Sequence, residues 1–154
     1  MFSNLVVIES PNKENTIRKY LGNDYEIIAT VGHIRDIPST NAKAFDPVTF
    51  EPNWKISYDK KTKKSKKEII EKIKNEANKV NKIYLATDPD REGEAIAWHV
   101  YEILPKSCQK KCVRITFNEI TKNAIDSAIK NERKIDLNWV HSQFVRRIID
   151  RIIG

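Results

Sequence analysis

The sequence is poor in cysteine and contains no long apolar run, and each absence excludes a class of protein. Its 154 residues include two cysteines, Cys108 and Cys112, which are too few for a disulfide framework. Without a Cys-x-x-Cys pair or a second cysteine pair, the sequence also lacks the ligands of a structural zinc site. No apolar run approaches the roughly 18–20 residues that span a bilayer, and the N-terminus lacks the basic region of a signal peptide. These absences predict a cytoplasmic protein without zinc and without a membrane segment.

An excess of basic residues predicts a polyanionic partner. The sequence has 28 Lys and Arg against 21 Asp and Glu, which gives a net charge of +7. Such a charge attracts nucleic acid or an anionic surface without specificity. The hydrophobic fraction of 40% and the charged fraction of 32% are typical of soluble globular proteins. The length suits one domain, with room for part of a second.

Alternating apolar strands and amphipathic helices predict an α/β fold. The run from Leu5 to Ile8 is continuously apolar, as in a strand buried on both faces of a parallel sheet. Further strands are predicted near residues 25–30, 83–87 and 113–117, with amphipathic helices between and after them. This alternation implies a mostly parallel sheet of about four strands flanked by helices. The stretch from His33 to about Thr62 shows no clear period and predicts a long loop.

The most informative segment is the acid-rich run DPDREGE at residues 88–94. It follows a buried strand and precedes a helix, where open parallel sheets place their ligands. Asp88, Asp90 and Glu92 alternate, and such a cluster is repulsive unless a cation is present. A hard divalent ion, Mg²⁺ for preference, fits these oxygens and links them to phosphate. Alternatively, Asp88 caps the helix and Pro89 is its first residue, which explains one or two acids better than four in seven residues.

Glu9 and Lys13 extend this predicted site. Glu9 ends the first strand, and it lies toward Asp88 if the first and third strands are adjacent in the sheet. Lys13, one helical turn later, is a candidate for contact with a phosphate. The alternative for both is an ordinary solvated side chain, and spacing alone does not decide between the two interpretations.

Five sequence blocks, taken in order, resemble one known family. The blocks are VIESPNK (7–13), VGHIRDIP (31–38), TDPDREGEAIAWH (87–99), RITFNEIT (114–121) and QFVRRIIDR (143–151). They are similar to the amino-terminal Toprim domain, a Rossmann-like fold, of bacterial type IA DNA topoisomerases and to the start of its following helical domain. The resemblance implies a Toprim domain over residues 1–133. It also implies that residues 134–154 are the first helix of the next domain, truncated where this chain ends.

The resemblance also implies a reaction. In type IA topoisomerases a tyrosine cleaves one DNA strand through a 5′-phosphotyrosine, the other strand passes, and religation follows. The full-length protein would thus relax negatively supercoiled DNA with Mg²⁺ as cofactor, as a monomer acting on single-stranded DNA in the bacterial cytoplasm near the nucleoid. None of the five tyrosines lies in a matching motif. This chain therefore lacks the nucleophile and is not expected to relax DNA alone.

The matching blocks imply roles for individual residues. The implied catalytic residues are Glu9, for proton transfer beside the scissile phosphate, and Lys13, for stabilising charge there. The implied metal ligands are Glu9, Asp88, Asp90 and Glu92. The implied DNA contacts are His33, Arg146, Arg147 and Asp150. For the two arginines, a surface ion pair with Asp150 one turn later is the alternative.

Two other functions stay open from the residues alone. One is a different Toprim enzyme, such as a primase-like polymerase or a nuclease, and the other is a non-catalytic DNA-binding module. The Arg-Arg-x-x-Asp-Arg pattern at 146–151 is expected of the topoisomerase and not of the other Toprim enzymes. The lysine-rich run at residues 60–67 is most simply a solvated loop and helix start, and alternatively a DNA-steering patch.

Overall fold

The chain alternates strands and helices as its apolar pattern predicts. The structure, a computed structural model, describes residues 2–36, 54–59 and 64–153. The strands are β1 (Asn4–Ile8), β2 (Tyr25–Ala29), β3 (Arg35–Asp36), β4 (Lys55–Ile56), β5 (Tyr58–Asp59), β6 (Lys64–Ser65), β7 (Lys82–Leu85) and β8 (Cys112–Arg114). The helices are α1 (Glu14–Leu21), α2 (Lys67–Lys79), α3 (Arg91–Ile103), α4 (Lys106–Gln109), α5 (Lys122–Lys130) and α6 (Leu137–Ile153), with a 3₁₀ turn at Pro11–Lys13 before α1.

Four strands form one parallel sheet in the order β2-β1-β7-β8. In the central strand β1, Val6 lies opposite Ile27 of β2 and Tyr84 of β7. Helices cover both faces, which is why β1 is apolar along its length instead of alternating with polar residues. The predicted fold class, a mostly parallel sheet of four strands flanked by helices, is confirmed.

The central strand contributes to two cores, because successive side chains of a strand point to opposite faces of the sheet. Leu5 and Val7 pack with residues of α2 and α3 in one core. Val6 and Ile8 pack with residues of α1 and α5 in the other. All four side chains are at most 2% exposed, so β1 is fixed from both sides and the residue that follows it is held in place.

The predicted long loop contains short strands that its sequence does not reveal. β3 pairs with β4 and β5 pairs with β6, both antiparallel and each two residues long. The prediction of a loop without strands is therefore wrong for this part of the chain, because a two-residue strand is too short to produce a period. Residues 37–53 and 60–63, which include Pro38, Pro47, Pro52 and the first half of the lysine-rich run, lie outside the described residues.

The last helix, α6, packs on α3 through an aromatic group. The ring of Phe144 lies 4.9 Å from that of Trp98 and 4.7 Å from that of Trp54, measured between centroids. On the other side of α6, Val145 and Ile149 are exposed. None of the helices in the described ranges is long and apolar enough to cross a bilayer.

Candidate metal and nucleic-acid site

β1 and β7, which are the first and third strands of the large sheet in chain order, are neighbours in the sheet. Their carboxyl ends bring Glu9 to the acidic loop. β1 pairs with β7 in parallel up to Val7 and Leu85, so Glu9 and Asp88 follow at the same edge. The carboxylate Oε1 of Glu9 accepts a hydrogen bond of 3.2 Å from the backbone N–H of Asp88. The predicted meeting of these two residues therefore appears in the structure as a direct contact.

Asp88 and Asp90 have different partners. The Oδ1 atom of Asp88 lies 3.6 Å from Nζ of Lys13, and both side chains are partly exposed. The Oδ1 atom of Asp90 accepts a 2.6 Å hydrogen bond from the N–H of Gly93 and thereby caps α3. The alternative that made Asp88 the cap and Pro89 the first helical residue is thus wrong by two positions. One acid is used as a helix cap, and Asp88 is left beside a lysine.

Glu92 faces the histidine of the second sequence block. Its Oε1 lies 3.3 Å from Nε2 of His33, which follows the end of β2 by a few residues. The structure thus brings a predicted DNA contact and a predicted metal ligand together.

Burial and charge act together on Glu9. Burial raises the pKa of Glu9 above its ordinary value, and the charges of Asp88 and Asp90 add to that rise. The hydrogen bond from the Asp88 N–H and the nearby His33 lower the pKa in part. Glu9 is therefore a carboxyl group whose environment favours its protonated form more than water does.

The oxygens of these acids have the chemistry that Mg²⁺ prefers, but they are not gathered around one point. Within the described residues, no group of three His, Cys, Asp or Glu side chains is arranged to hold a metal ion. The reason lies in the contacts above, since Asp88, Asp90 and Glu92 each engage a separate partner. The donor types fit a hard cation, and the acids would have to leave these partners to share one.

A glycine sets how closely the helix approaches the acidic loop. A Cβ atom on Gly93 would lie 1.9 Å from the backbone oxygen of Asp88, a distance that no real contact allows. The hydroxyl of Thr87 also donates a 2.6 Å hydrogen bond to the carbonyl of Gly93. The first turn of α3 and the loop therefore lie against each other with no room for a side chain.

We expect Gly93→Ala to move the acidic loop. The added methyl group must displace Asp88, at a cost of about 1–3 kcal/mol in the free energy of unfolding. Gly22→Ala is the matched control, because nothing lies within 4 Å of its Cβ position and its cost comes from a φ of +88°. Both variants should melt at a lower temperature, but only Gly93→Ala should shift the amide resonances of Asp88 and Glu9. Unchanged resonances in Gly93→Ala would contradict the close approach.

A buried ionic group behind the acidic loop was missed by sequence reasoning. Glu94 and Arg114 are fully buried, and Arg114 Nε donates a 3.0 Å hydrogen bond to Oε1 of Glu94. Arg133 donates two further hydrogen bonds of 2.9 Å to the same carboxylate, and the N–H of Asp136 donates another of 2.7 Å. Burial alone would raise the pKa of Glu94, but these hydrogen bonds and positive charges lower it to about 2.

Arg114 also holds the backbone of the loop. Its Nη1 donates to the carbonyls of Leu85 and Thr87, at 3.0 and 2.7 Å, and its Nη2 donates to that of Asp88 at 2.7 Å. One guanidinium group therefore donates hydrogen bonds to three backbone carbonyls at the point where β7 ends and the acidic loop begins. Two features of the sequence pointed toward this ionic group: Arg114 begins the fourth sequence block, and Glu94 is the fourth acid of the acidic run. Neither feature reveals that these side chains are buried.

Helix α6 borders the same site from the other side. A polar cleft of about 520 Å³ separates a polar face of α6 from the acidic loop. The lining residues are Asp90, Arg91, Glu92, Gln143, Arg146, Arg147 and Asp150. Three of the four predicted DNA contacts therefore share one cleft with two predicted metal ligands, and Arg91 and Gln143 join them without having been predicted.

The two adjacent arginines of α6 have different surroundings. Arg147 forms an ion pair with Asp36 of β3 through Nε and Nη2, rather than with Asp150, which was the alternative from helical spacing. Arg146 is exposed, and its guanidinium makes no ion pair or hydrogen bond with another described residue. Of the two adjacent arginines, Arg146 is thus the one whose positive charge is more accessible in the cleft.

Comparisons with known proteins agree with the motif pattern. A family model described as "Toprim domain" matches residues 4–120. DNA topoisomerase 1 of Mycoplasma pneumoniae is 52% identical over 170 aligned positions, and that of Mycoplasma genitalium is 53% identical over 162; each alignment includes 100% of this chain. DNA topoisomerase 1 of Rickettsia conorii is 44% identical over 154 positions, with 97% of this chain aligned.

A solved structure shows the same fold. Full-length topoisomerase I from Thermotoga maritima matches with a TM-score of 0.79 at 42% identity, over 97% of this chain and 24% of that one. The alignments cover 24%, 23% and 19% of the Mycoplasma pneumoniae, Mycoplasma genitalium and Rickettsia conorii proteins. The chain therefore spans about a quarter or less of the length of these relatives.

Proposed function

Since the chain belongs to the Toprim domain family, we propose that it is the Toprim part of a type IA DNA topoisomerase whose nucleophilic tyrosine lies in another domain. The whole protein would relax negatively supercoiled DNA by transient cleavage and religation of one strand, and this chain alone would be inactive. The observation that carries the proposal is the contact between Glu9 and the acidic loop, because the same loop also lines the cleft along α6 through Asp90 and Glu92. Residues 1–133 would form the Toprim domain and residues 134–154 the first helix of the next domain.

In this proposal the acids hold Mg²⁺, which when bound supplies positive charge for the phosphate oxygens. Glu9, Asp88, Asp90 and Glu92 would be its ligands. The Lys13 ammonium group lies beside Asp88 and offsets only part of the negative charge of the acids, so the remaining charge still favours a bound cation.

Glu9 would move a proton at the scissile phosphate. Burial raises its pKa above that of a solvated carboxyl group, a shift in the direction that suits a group that must both hold and release a proton. Lys13 is about half exposed at its side chain, so a phosphate oxygen can compete with Asp88 for its ammonium group. The two residues would thus serve proton transfer and charge stabilisation, respectively.

The DNA strand would lie in the cleft along α6. Arg146 offers an exposed guanidinium to a phosphate, and Arg147 is oriented by Asp36. His33 faces the same region through Glu92, and Asp150 lines the cleft. Single-stranded DNA is the proposed partner, and the net charge of +7 would add salt-dependent attraction. The proposed protein acts as a monomer in the bacterial cytoplasm, in association with the nucleoid.

Transplanting the chain into a relative tests the proposal. In a chimera, this chain replaces the matching segment of DNA topoisomerase 1 from Mycoplasma pneumoniae, to which it is 52% identical. The chimera should relax negatively supercoiled plasmid in a Mg²⁺-dependent manner, as followed by agarose gel electrophoresis. The isolated chain is the control and should leave the plasmid unchanged. A chimera that melts like the natural relative and binds single-stranded DNA, yet does not relax the plasmid, would contradict the proposal.

A further inference from the structure

A strained residue begins the segment that carries His33. Val31 has a φ of +56°, in the left-handed region that β-branched residues rarely adopt. Its N–H donates a 2.9 Å hydrogen bond to the carbonyl of Glu9, and the N–H of Thr30 donates one of the same length to Ile8. The chain thus stays hydrogen-bonded to β1 and to Glu9, the residue after it, as far as Val31. It then turns sharply at a residue that disfavours the turn. Strain of this kind persists only where surrounding contacts hold it.

A lysine from a distant part of the chain supplies such contacts. The Nζ atom of Lys66 donates hydrogen bonds of 3.2 Å to the carbonyl of Thr30 and 2.7 Å to that of Val31. Lys66 is itself anchored, because its N–H donates to the carbonyl of Ser57 and its carbonyl accepts from Ile70 in α2. An ammonium group that donates to two carbonyls makes charge-assisted hydrogen bonds, which are stronger than neutral ones.

Residues 31–36, which begin at this turn, form a segment that we call the strap. Three of its side chains in succession contact residues of α3 and α6. His33 faces Glu92 at 3.3 Å, and Arg35 Nε donates a 3.0 Å hydrogen bond to Nδ1 of the buried His99 in α3. Asp36 pairs with Arg147 of α6. The direction in which the strap leaves the sheet therefore decides whether all three contacts can form.

From these contacts we infer that Lys66 is a positioning residue: it holds Val31 in the left-handed turn and so places His33 against Glu92 and Asp36 against Arg147. The inference deepens the proposed function, on which it rests for the role of His33 and Arg147 in DNA binding. It also separates Lys66 from the lysine-rich run to which it belongs by sequence. Lys66 would touch neither DNA nor metal, and would act on the site through the strap.

Replacing Lys66 tests the inference in this 154-residue chain. Lys66→Met removes the ammonium group but keeps a long apolar stem. It should shift the ring resonances of His33 and the side-chain resonances of Glu92. It should also weaken binding of a fluorescein-labelled single-stranded oligothymidylate about tenfold, the effect of losing one charged hydrogen bond between the DNA and a residue that the strap positions. Lys67→Met is the matched control, because Lys67 is exposed and its variant should change neither readout. Lys66→Arg keeps a positive charge and should retain most of the DNA affinity and of the resonance positions of the unsubstituted chain.

A second substitution distinguishes positioning from a general loss of stability. Val31→Gly removes the penalty of the positive φ, so the double variant Lys66→Met/Val31→Gly should regain the resonances of His33 and most of the DNA affinity. If Lys66→Met melts below the temperature of measurement, Lys66→Gln carries the same comparison. Unmoved resonances of His33 and Glu92, or a loss that persists with Val31→Gly, would overturn the inference. Failure of the unsubstituted chain to bind the oligonucleotide would contradict the proposed DNA-binding role of the cleft instead, and the resonances of His33 and Glu92 would still test the position of the strap.

Discussion

Replacing Glu9 with glutamine should reduce DNA cleavage by the chimera about 100- to 10,000-fold, the range that a positioned acid or base contributes. Glutamine keeps the size of the side chain and can still accept the hydrogen bond from the Asp88 N–H. It cannot carry the proton that the proposed reaction requires. The loss should appear in single-turnover cleavage of a labelled single-stranded oligonucleotide, where religation and strand passage do not contribute.

Two controls accompany this prediction. Glu71→Gln makes the same chemical change on an exposed position of α2 and should leave cleavage unchanged. The melting temperature of Glu9→Gln should stay close to that of the parent, because the carboxyl group is only half-buried. Cleavage at the parent rate by a folded Glu9→Gln protein would contradict a role for this residue in proton transfer.

Replacing Arg114 with methionine should lower the free energy of unfolding by about 3–5 kcal/mol, the usual cost of removing one partner from a buried ion pair. Glu94 would keep Arg133 but lose its fully buried partner. The carbonyls of Thr87 and Asp88 would each lose a 2.7 Å hydrogen bond. Urea unfolding of this chain, followed by circular dichroism, measures the change.

The matched control is Arg18→Met. Arg18 pairs with Glu14 and Glu26 at the surface, with its side chain 38% exposed, and such pairs contribute about 0–1 kcal/mol. The double variant Arg114→Met/Glu94→Gln should cost less than the sum of the single variants, because each change relieves the buried charge that the other leaves. A loss below about 1 kcal/mol for Arg114→Met would contradict the role assigned to this network.

The parts of the site that sequence reasoning predicted depend on short-range rules. The continuous apolar run of β1 indicated a strand covered on both faces, and the adjacency of two parallel strands then placed Glu9 near Asp88. Both inferences need only the period of a strand and the geometry of a parallel sheet. Glu9 and Asp88 are accordingly in contact.

The parts that sequence reasoning missed depend on long-range packing. Helical spacing offered Asp150 as a partner for the paired arginines, since periodicity compares residues one turn apart; Arg147 instead pairs with Asp36, far away in the chain. Likewise, Glu94 follows Glu92 at a spacing that gives no sign that one is buried and the other exposed. Which acid enters the core is set by Arg114 and Arg133, which arrive from another strand and the segment after α5.

Titration of the isotope-labelled chain with Mg²⁺, followed by amide and side-chain resonances, tests the central claim most directly. We predict saturable shifts at Glu9 and residues 88–92 in the millimolar range, as Asp88, Asp90 and Glu92 exchange their present partners for the cation. The acids on α2, Glu68, Glu71 and Glu76, are an internal control and should not saturate, and the variant Asp88→Asn/Asp90→Asn should lose the response. An unresponsive loop at millimolar Mg²⁺, or a response equal to that of α2, would contradict the account.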